Sequence, residues 1–577
     1  MTKLVFQVKE MKSILPRLMK KINCKKNSLV ANFTKVNWFT FILVFAVLGV
    51  TCQAPTQKKK IMARNDADQP VIRVGVLQGR AQVDFRVEGK VSFVNRDADF
   101  VLRGLPGGRW KIEAIDSKPA EYVYQLAVGT RKGRWQAEEV LRSVRNKGLD
   151  AHISKIETNN LSIPYVHKSV YQIVLDKKFS SENDAKTYQS EIQEKTNSEI
   201  IKIPQNDSEG TLRFTNLDNN YNFDSPGPIR LRTSQIQLAD VEVGSGFHWE
   251  TTEHRAYGGT FEFLLDQDGM ITAINELFLE DYLKGVVPSE MPAGFPYESL
   301  KAQAIAARVE AVSKIGLRHP FEPFDLCDEV HCQVFSGLSH NAERSDMAVE
   351  STRGIFMIHR NKITEAFYAG VCGGHTENNE NVWLINAKGY LRGVLDRDGN
   401  RLSTPLSEES NVKKWIDSNP DVYCSGTRKN RPTSVNYSKK YFRWQVEYKR
   451  EELEKIIREK TGEDFGELVD LVPLKRGVSG RLIDLQVVGT KKRFIINREL
   501  PIRRALSNKT LYSACFYIKK RGRTKGLTHT YILKGAGWGH GVGMCQVGAA
   551  VMAHAGKKFD QILTHYYQGI FLQKLYN

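Results

Sequence analysis

The sequence lacks any apolar run of the length a membrane-crossing helix needs. Its most apolar stretch, Trp38 to Val50, has 13 residues, against about 20 for a bilayer span, which excludes a polytopic membrane protein. Cysteine is sparse, eight in 577 residues. That excludes a disulfide scaffold, so each cysteine is read by its own position. Acidic residues are also short: 65 Asp and Glu against 84 Lys and Arg leave a formal charge of +19. Such a balance favours an anionic partner, whether nucleic acid, a membrane surface or cell-wall polymer, and does not by itself choose among them. With 41% hydrophobic and 10% aromatic residues, the chain can bury several cores, which excludes a wholly disordered or collagen-like protein. At roughly 100 to 200 residues per domain, three or four folded units are expected.

The N-terminus reads as an export signal. Residues 1–37 carry nine Lys or Arg against the single acid Glu10, and the apolar run follows directly; basic-then-apolar is the order of a secretory leader. Leu48-Gly49-Val50-Thr51-Cys52 resembles a loose bacterial lipoprotein box, in which Cys52 becomes the lipidated N-terminus; a plain cleaved signal and an uncleaved anchor are the alternatives. Residues 53–70, with Lys58, Lys59 and Lys60, read as a tether. From 71 to 118, β-branched runs broken by Gly and Pro read as strands.

Two similar strand-helix-strand units follow. Tyr122 to Gly129 alternates as a strand, Gln136 to Lys147 is amphipathic and closed by Gly148, and Asp150 to Ser154 is a strand; Val170 to Leu175, Ala185 to Tyr188 and Ile200 to Ile203 repeat the pattern. Tyr124-Gln125-Leu126-Ala127-Val128-Gly129, Ala137-Glu138 and Lys147 to Ala151 resemble a sporulation-related repeat (SPOR) domain, which implies a βαββαβ module over 119–203 that binds peptidoglycan glycan strands stripped of stem peptides. An unrelated ferredoxin-like module is the alternative. Residues 204–225 are polar and turn-rich and are expected to be a linker.

The remaining motifs are collinear. Ile274 to Pro292, containing Pro288-Ser289-Glu290-Met291, leads into an Ala-rich helix from Tyr297 to Ile315. Tyr368-Ala369-Gly370-Val371-Cys372-Gly373-Gly374-His375-Thr376-Glu377-Asn378, Trp383, Gly389-Tyr390-Leu391, Ser479-Gly480-Arg481 and Gly537-Trp538-Gly539-His540-Gly541-Val542-Gly543-Met544-Cys545-Gln546 follow. This set strongly resembles the stage II sporulation protein D family of peptidoglycan lytic transglycosylases, with Cys545 a departure where Ser is common. The resemblance implies a larger mixed catalytic domain over 226–577, making the whole a multidomain α+β protein. It also implies that Glu290 is the general acid/base, with 1,6-anhydro-muramic acid ends as product. The physical reading agrees. A carboxylic acid protonates a leaving oxygen near neutral pH only if its pKa is raised, and Val286, Val287, Met291 and Pro292 surround Glu290 with apolar groups that disfavour its charged form. No second carboxylate is needed when the muramic 6-hydroxyl is the nucleophile, unlike in ordinary glycosidases. Without the resemblance, Glu290 reads as a residue packed beside a helix start.

Polar residues inside these motifs, Arg308, Gln303, Thr376 and Gln546, are candidates to line the glycan cleft, and Gly373, Gly374 and Gly541 to let backbone approach sugar. His375 and His540 rank behind them. Cys327, His331 and Cys332 place two thiols and an imidazole within six positions, a donor set that suits zinc; some members of the family hold zinc here. His319 is the first choice for the fourth ligand, with a water, Cys372 and His340 as rivals, and a Cys327–Cys332 disulfide is the competing reading. Cys424, Cys515 and Cys545 read as buried thiols, and 396–530 as scaffold. The implied partners are glycan strands, a cell-wall amidase or division proteins, and a membrane through the N-terminus. Nucleic acid is not expected, since no recognisable nucleic-acid motif accompanies the charge. The rival function is a non-catalytic activator of a wall amidase.

Overall fold

The computed structural model describes residues 69–577 except 96–100, 158–168, 246, 248–249, 384, 400–401, 403 and 525. Cys52, the stretch read as an export signal and most of the expected tether lie outside the described residues. No helix among the described residues is long and apolar enough to cross a membrane.

Strands β1 (Val71–Arg80), β2 (Gln82–Asn95) and β3 (Val101–Lys118) begin an 11-stranded sheet. The chain then leaves it for a separate module: β4 (Tyr122–Arg131), α1 (Arg134–Arg145), β5 (Ala151–Glu157), β6 (Ser169–Leu175), α2 (Glu182–Ile192) and β7 (Glu199–Pro204). These strands form an antiparallel sheet in the order β5-β6-β4-β7, closed on its own core around Leu126, Ala137, Ile173 and Ile192. Helix α2 starts where Ser181 accepts the Asp184 N–H, a cap that satisfies an otherwise unpaired donor.

The expected linker is instead part of the large sheet. Within 204–225, β8 (Glu209–Asn216) pairs with β3 and with β9 (Asn222–Ser225). The Asn and Asp residues that suggested a tether make a hairpin turn in which Asn220 sits at φ +57°, a conformation Asn tolerates. The module is therefore inserted between two neighbouring strands of one sheet. It is also fastened there: the Tyr122 hydroxyl donates to Asp268 at 2.8 Å, and the Ala120 N–H donates to the Gln267 carbonyl.

The sheet continues through β10 (Ile229–Arg232), β11 (Ile236–Val243), β12 (Thr251–Tyr257), β13 (Thr260–Leu265) and β14 (Ile271–Phe278). Strand β14 lies between β1 and β13 and runs directly into α3 (Leu279–Glu290). Helix α4 (Tyr297–Lys314) is buried on nearly every face, from Ser299 to Ser313; such a helix belongs in a core. Strand β15 (Leu326–Cys327) pairs in parallel with β1, Gly75 opposite Cys327. Helix α5 (Glu343–Ser351) packs on α4, followed by β16 (Ile355–His359), β17 (Lys362–Ile363) and β18 (Tyr368–Ala369).

A second core gathers around Leu453, Phe465, Leu485 and Phe516. It is built from β19 (Arg443–Lys449), α6 (Arg450–Thr461), β20 (Leu468–Arg476), β21 (Leu482–Gly489), β22 (Arg493–Asn497), β23 (Phe516–Thr524) and β24 (Leu527–Ala536). The chain then returns through β25 (Met544–Cys545), parallel to β18, into α7 (Gln546–His554) and on to β26 (Phe571–Lys574), which pairs with β16.

One ion pair joins these parts. Arg308 on α4 donates through Nε and Nη2 to both oxygens of Glu280 on α3, at 2.8 and 2.6 Å, and both side chains are 0% exposed. Tyr576 and the Gly354 N–H also donate to Glu280, while Arg308 reaches the carbonyls of Ile355 and Val349. Burial alone would raise the Glu280 pKa, but the Arg308 charge and hydrogen bonds hold it below the ordinary value. Arg308 is thus committed to the core and does not line a glycan cleft. Replacing Arg308 by Met strands a buried carboxylate and is expected to cost roughly 3–5 kcal/mol, read as a lowered thermal midpoint of the purified chain.

Candidate active site

Glu290 is the last residue of α3, and the chain turns extended at Met291 before Pro292. The end of that helix is clamped to the loop that follows β15. The Ser289 and Ser336 hydroxyls are 2.6 Å apart, and both reach the Gly285 carbonyl. Gly285 is required for this approach, because a Cβ there would lie 2.5 Å from the Gly337 carbonyl oxygen. From the same loop the Val334 N–H donates to Glu290 Oε1 at 3.1 Å, and Gln333 donates to the Tyr368 hydroxyl at 2.8 Å.

Burial pushes the Glu290 pKa up to about 7, against the opposing pull of the Val334 N–H and the Lys314 charge. About half of the population therefore still holds the proton at pH 7, as a proton donor requires. Lys314 is paired with Glu310 at 3.0 Å and donates to the Cys332 carbonyl. Glu310 in turn accepts the Ala366 N–H.

Glu310 and Lys314 line a cavity of about 920 Å³, together with Phe367, Trp383 and Tyr390. Trp383 packs tilted against Phe367 with ring centres 4.3 Å apart and on His540 at 5.0 Å. Burial pushes the His540 pKa down to about 3, so it is a neutral ring that seats the tryptophan. The far wall comes from the inserted module, by residues 128–133 with Trp135 and Gln136. Trp135 is 67% exposed and free to meet a ligand.

Other sequence candidates serve the frame. Thr376 is buried and exchanges hydrogen bonds with Val394. His375 Nδ1 lies 2.7 Å from the Thr376 carbonyl, and burial lowers its pKa. Gln303 and Gln546 are buried; Gln546 donates to the backbone carbonyl of Glu290 at 2.9 Å and to Gln303 at 3.3 Å, so this pair positions the Glu290 turn. The glycines make room for protein, not sugar. A Cβ on Gly541 would meet the Arg481 guanidinium at 2.3 Å, and one on Gly374 would meet Trp415 at 2.7 Å.

His319, Cys327, His331 and Cys332 bring one ligand atom each within 4.8 Å of the others. Cys332 Sγ is 3.4 Å from His319 Nε2, and His331 Nδ1 is 3.8 and 3.9 Å from the two sulphurs. Two thiols and two imidazoles converging at these separations fit a tetrahedral zinc. Cys372 and His340, the rivals for the fourth position, are not in the cluster. The loop it would stabilise carries Val334 and Gln333. Lys314, Tyr368 and Trp383 were not singled out as site residues from the sequence, although Tyr368 and Trp383 stand within the matched strings.

Comparison with known proteins gives the family. The family model described as stage II sporulation protein matches residues 267–359, which include Glu290, Arg308 and the whole His/Cys cluster. A second model, a domain of unknown function, matches 377–543. An uncharacterized protein of Brachyspira hyodysenteriae is 31% identical over 54% of this chain and 71% of its own length. Stage II sporulation protein D of Bacillus amyloliquefaciens is 29% identical over 52% of this chain and 75% of its own. The amidase enhancer of Bacillus subtilis is 28% identical over 50% of this chain, which spans only 40% of that relative. The chain belongs to the stage II sporulation protein D family.

The raised pKa has a consequence for stability. Folded, Glu290 keeps its proton up to about pH 7; unfolded, it releases it near 4.5. Its contribution is full below pH 4.5 and lost as pH rises through 7. Glu290→Gln is therefore expected to match the parent at pH 4 and to exceed its stability at pH 8 by up to about 3 kcal/mol, measured as paired unfolding midpoints at the two pH values.

Proposed function

We propose that this chain is an exported lytic transglycosylase that cleaves peptidoglycan glycan strands, with Glu290 as general acid/base. The observation that carries this reading is a carboxyl group that accepts the Val334 N–H, on a turn whose backbone carbonyl is held by the Gln303–Gln546 pair, with a pKa raised to about 7 by burial. Glu290 gives its proton to the glycosidic oxygen as that bond breaks. The resulting carboxylate then takes the proton of the muramic 6-hydroxyl as it closes on C1, leaving a 1,6-anhydro end and Glu290 protonated again. No water is consumed, so no second carboxylate is needed to activate one. The Phe367, Trp383 and Tyr390 wall offers flat apolar faces for sugar rings, and Lys314 a positive charge for the lactyl carboxylate of stripped strands.

Cys327, Cys332, His319 and His331 would hold zinc, whose closed four-ligand shell supplies structural support. These residues act on chemistry through the loop that presents Val334 to Glu290. The inserted module supplies a SPOR-like wall for denuded glycan. Since 204–225 is sheet rather than tether, the gain comes from a continuous surface and not from a high effective concentration on a flexible leash.

A second reading, activation of a cell-wall amidase, is favoured by the similarity to the amidase enhancer. Digestion of denuded peptidoglycan separates the two. The parent chain is expected to release 1,6-anhydro products by mass analysis, and Glu290→Gln to lose them at least 100-fold while still sedimenting with sacculi; turnover by the variant at the parent rate would remove Glu290 from the reaction. Stimulation of an added amidase equally by both proteins, with no glycan cleavage by either, would establish the second reading. Trp135→Ala is expected to weaken retention on denuded strands about 5-fold, or about 1 kcal/mol for one lost stacking contact, with the thermal midpoint unchanged.

A further inference from the structure

A second group of metal-ligating side chains lies outside the machinery described above. Cys372, Asp396, Cys424 and Cys545 each bring one ligand atom within 4.8 Å of the others. They are 2%, 0%, 0% and 1% exposed. They come from four separate segments, and Cys372 and Cys424 approach to 3.6 Å between sulphurs.

Backbone N–H groups point at two of the three sulphurs. Cys545 Sγ receives the backbone N–H of Cys372 at 3.2 Å and that of Gly548, in the first turn of α7, at 3.4 Å. Cys372 Sγ receives the Gly374 N–H at 3.4 Å. N–H groups aimed at sulphur favour thiolate over thiol and are the outer contacts that orient metal ligands. Both oxygens of Asp396 are held as well, Oδ1 by the Tyr566 hydroxyl at 2.6 Å and Oδ2 by the Cys424 N–H at 2.8 Å. Gly548 leaves the space for this: a Cβ there would lie 2.4 Å from Asp396 Oδ1. Among the described residues, no Lys or Arg forms an ion pair with Asp396. Arg431 and Arg443 feel the nearby sulphurs, but Arg443 donates to carbonyls and Arg431 donates through Nη1 and Nη2 to carbonyls and the Ser438 hydroxyl, its Nε remaining buried without a partner. Neutral thiols bury without penalty, but the Asp396 carboxylate, and any thiolate beside it, is costly to bury unless a cation joins it.

We infer that Cys372, Asp396, Cys424 and Cys545 form a second, closed site for a divalent, thiolate-binding cation of the zinc class. Three sulphurs and one oxygen complete a tetrahedral shell with no open position, which makes the site structural. Binding releases the thiol protons to solvent. The site would tie the loop after β18, the segments at Asp396 and Cys424 and the start of α7 into one knot. The first residue of α7, Gln546, is the one that holds the Glu290 carbonyl, so the knot also secures the turn behind the acid.

The competing chemistry is a Cys372–Cys424 disulfide, formed by loss of two electrons and two protons to an oxidant. Metal analysis of the full chain, purified without chelator, distinguishes them. Two zinc per chain are expected, with Cys327→Ser and Cys424→Ser each removing a different one. Cobalt reconstitution of Cys327→Ser should retain a sulphur-to-cobalt charge-transfer band, and adding Asp396→Asn should shift it. These readouts do not depend on activity. A single zinc in the parent chain that Cys327→Ser abolishes would overturn the proposal, whatever the folding of the other variants. So would a parent mass two hydrogens below the reduced value with the 372 and 424 peptides linked.

Discussion

The bidentate pair between Glu280 and Arg308 is the constraint on which the rest of the site depends. It is dry on both sides, and a pair in that position is favourable only when its remaining donors and acceptors are met. Here they are, by Tyr576, Gly354, Ile355 and Val349. The pair therefore locks the first turn of α3 against α4 and the segments around β16. Ten residues further along the same helix stands Glu290, whose position relative to Lys314 at the end of α4 follows from that lock.

The same arrangement sets the electrostatics. Lys314 alone would favour an ionised Glu290, as would the Val334 N–H, yet burial outweighs both. The proton affinity is thus a balance between a desolvated helix end and a loop that donates to it. That loop is stapled by Ser289 and Ser336 and carries two members of the His/Cys cluster, so its order and the acidity of Glu290 are linked.

Much of this was legible in the sequence for local reasons. The Ala-rich run from Tyr297 was readable as a helix, and it became one buried on nearly every face. Glu290 stood among Val286, Val287 and Met291, and the short spacing of Cys327, His331 and Cys332 made a cluster visible. What misled was polarity read without its partners. Asn219 and Asn220 suggested a tether but turn a hairpin, and Arg308 and Thr376 suggested a cleft but satisfy buried groups. The Cys372, Asp396, Cys424 and Cys545 group was not legible at all. Cys372 and Cys545 are 173 positions apart, and it takes the parallel pairing of β18 with β25 and the bridge of Val371 to Trp538 to bring them together.

The central claim is that Glu290 is a neutral acid near pH 7 because α3 and its loop keep its carboxyl desolvated. Its titration can be followed directly by difference infrared spectroscopy of the carboxyl band, comparing the parent chain with Glu290→Gln between pH 4 and pH 9. The account predicts a carboxylic acid that ionises at about 7. A carboxylate already formed at pH 5, with a midpoint near the 4.5 of a solvated glutamate, would contradict it.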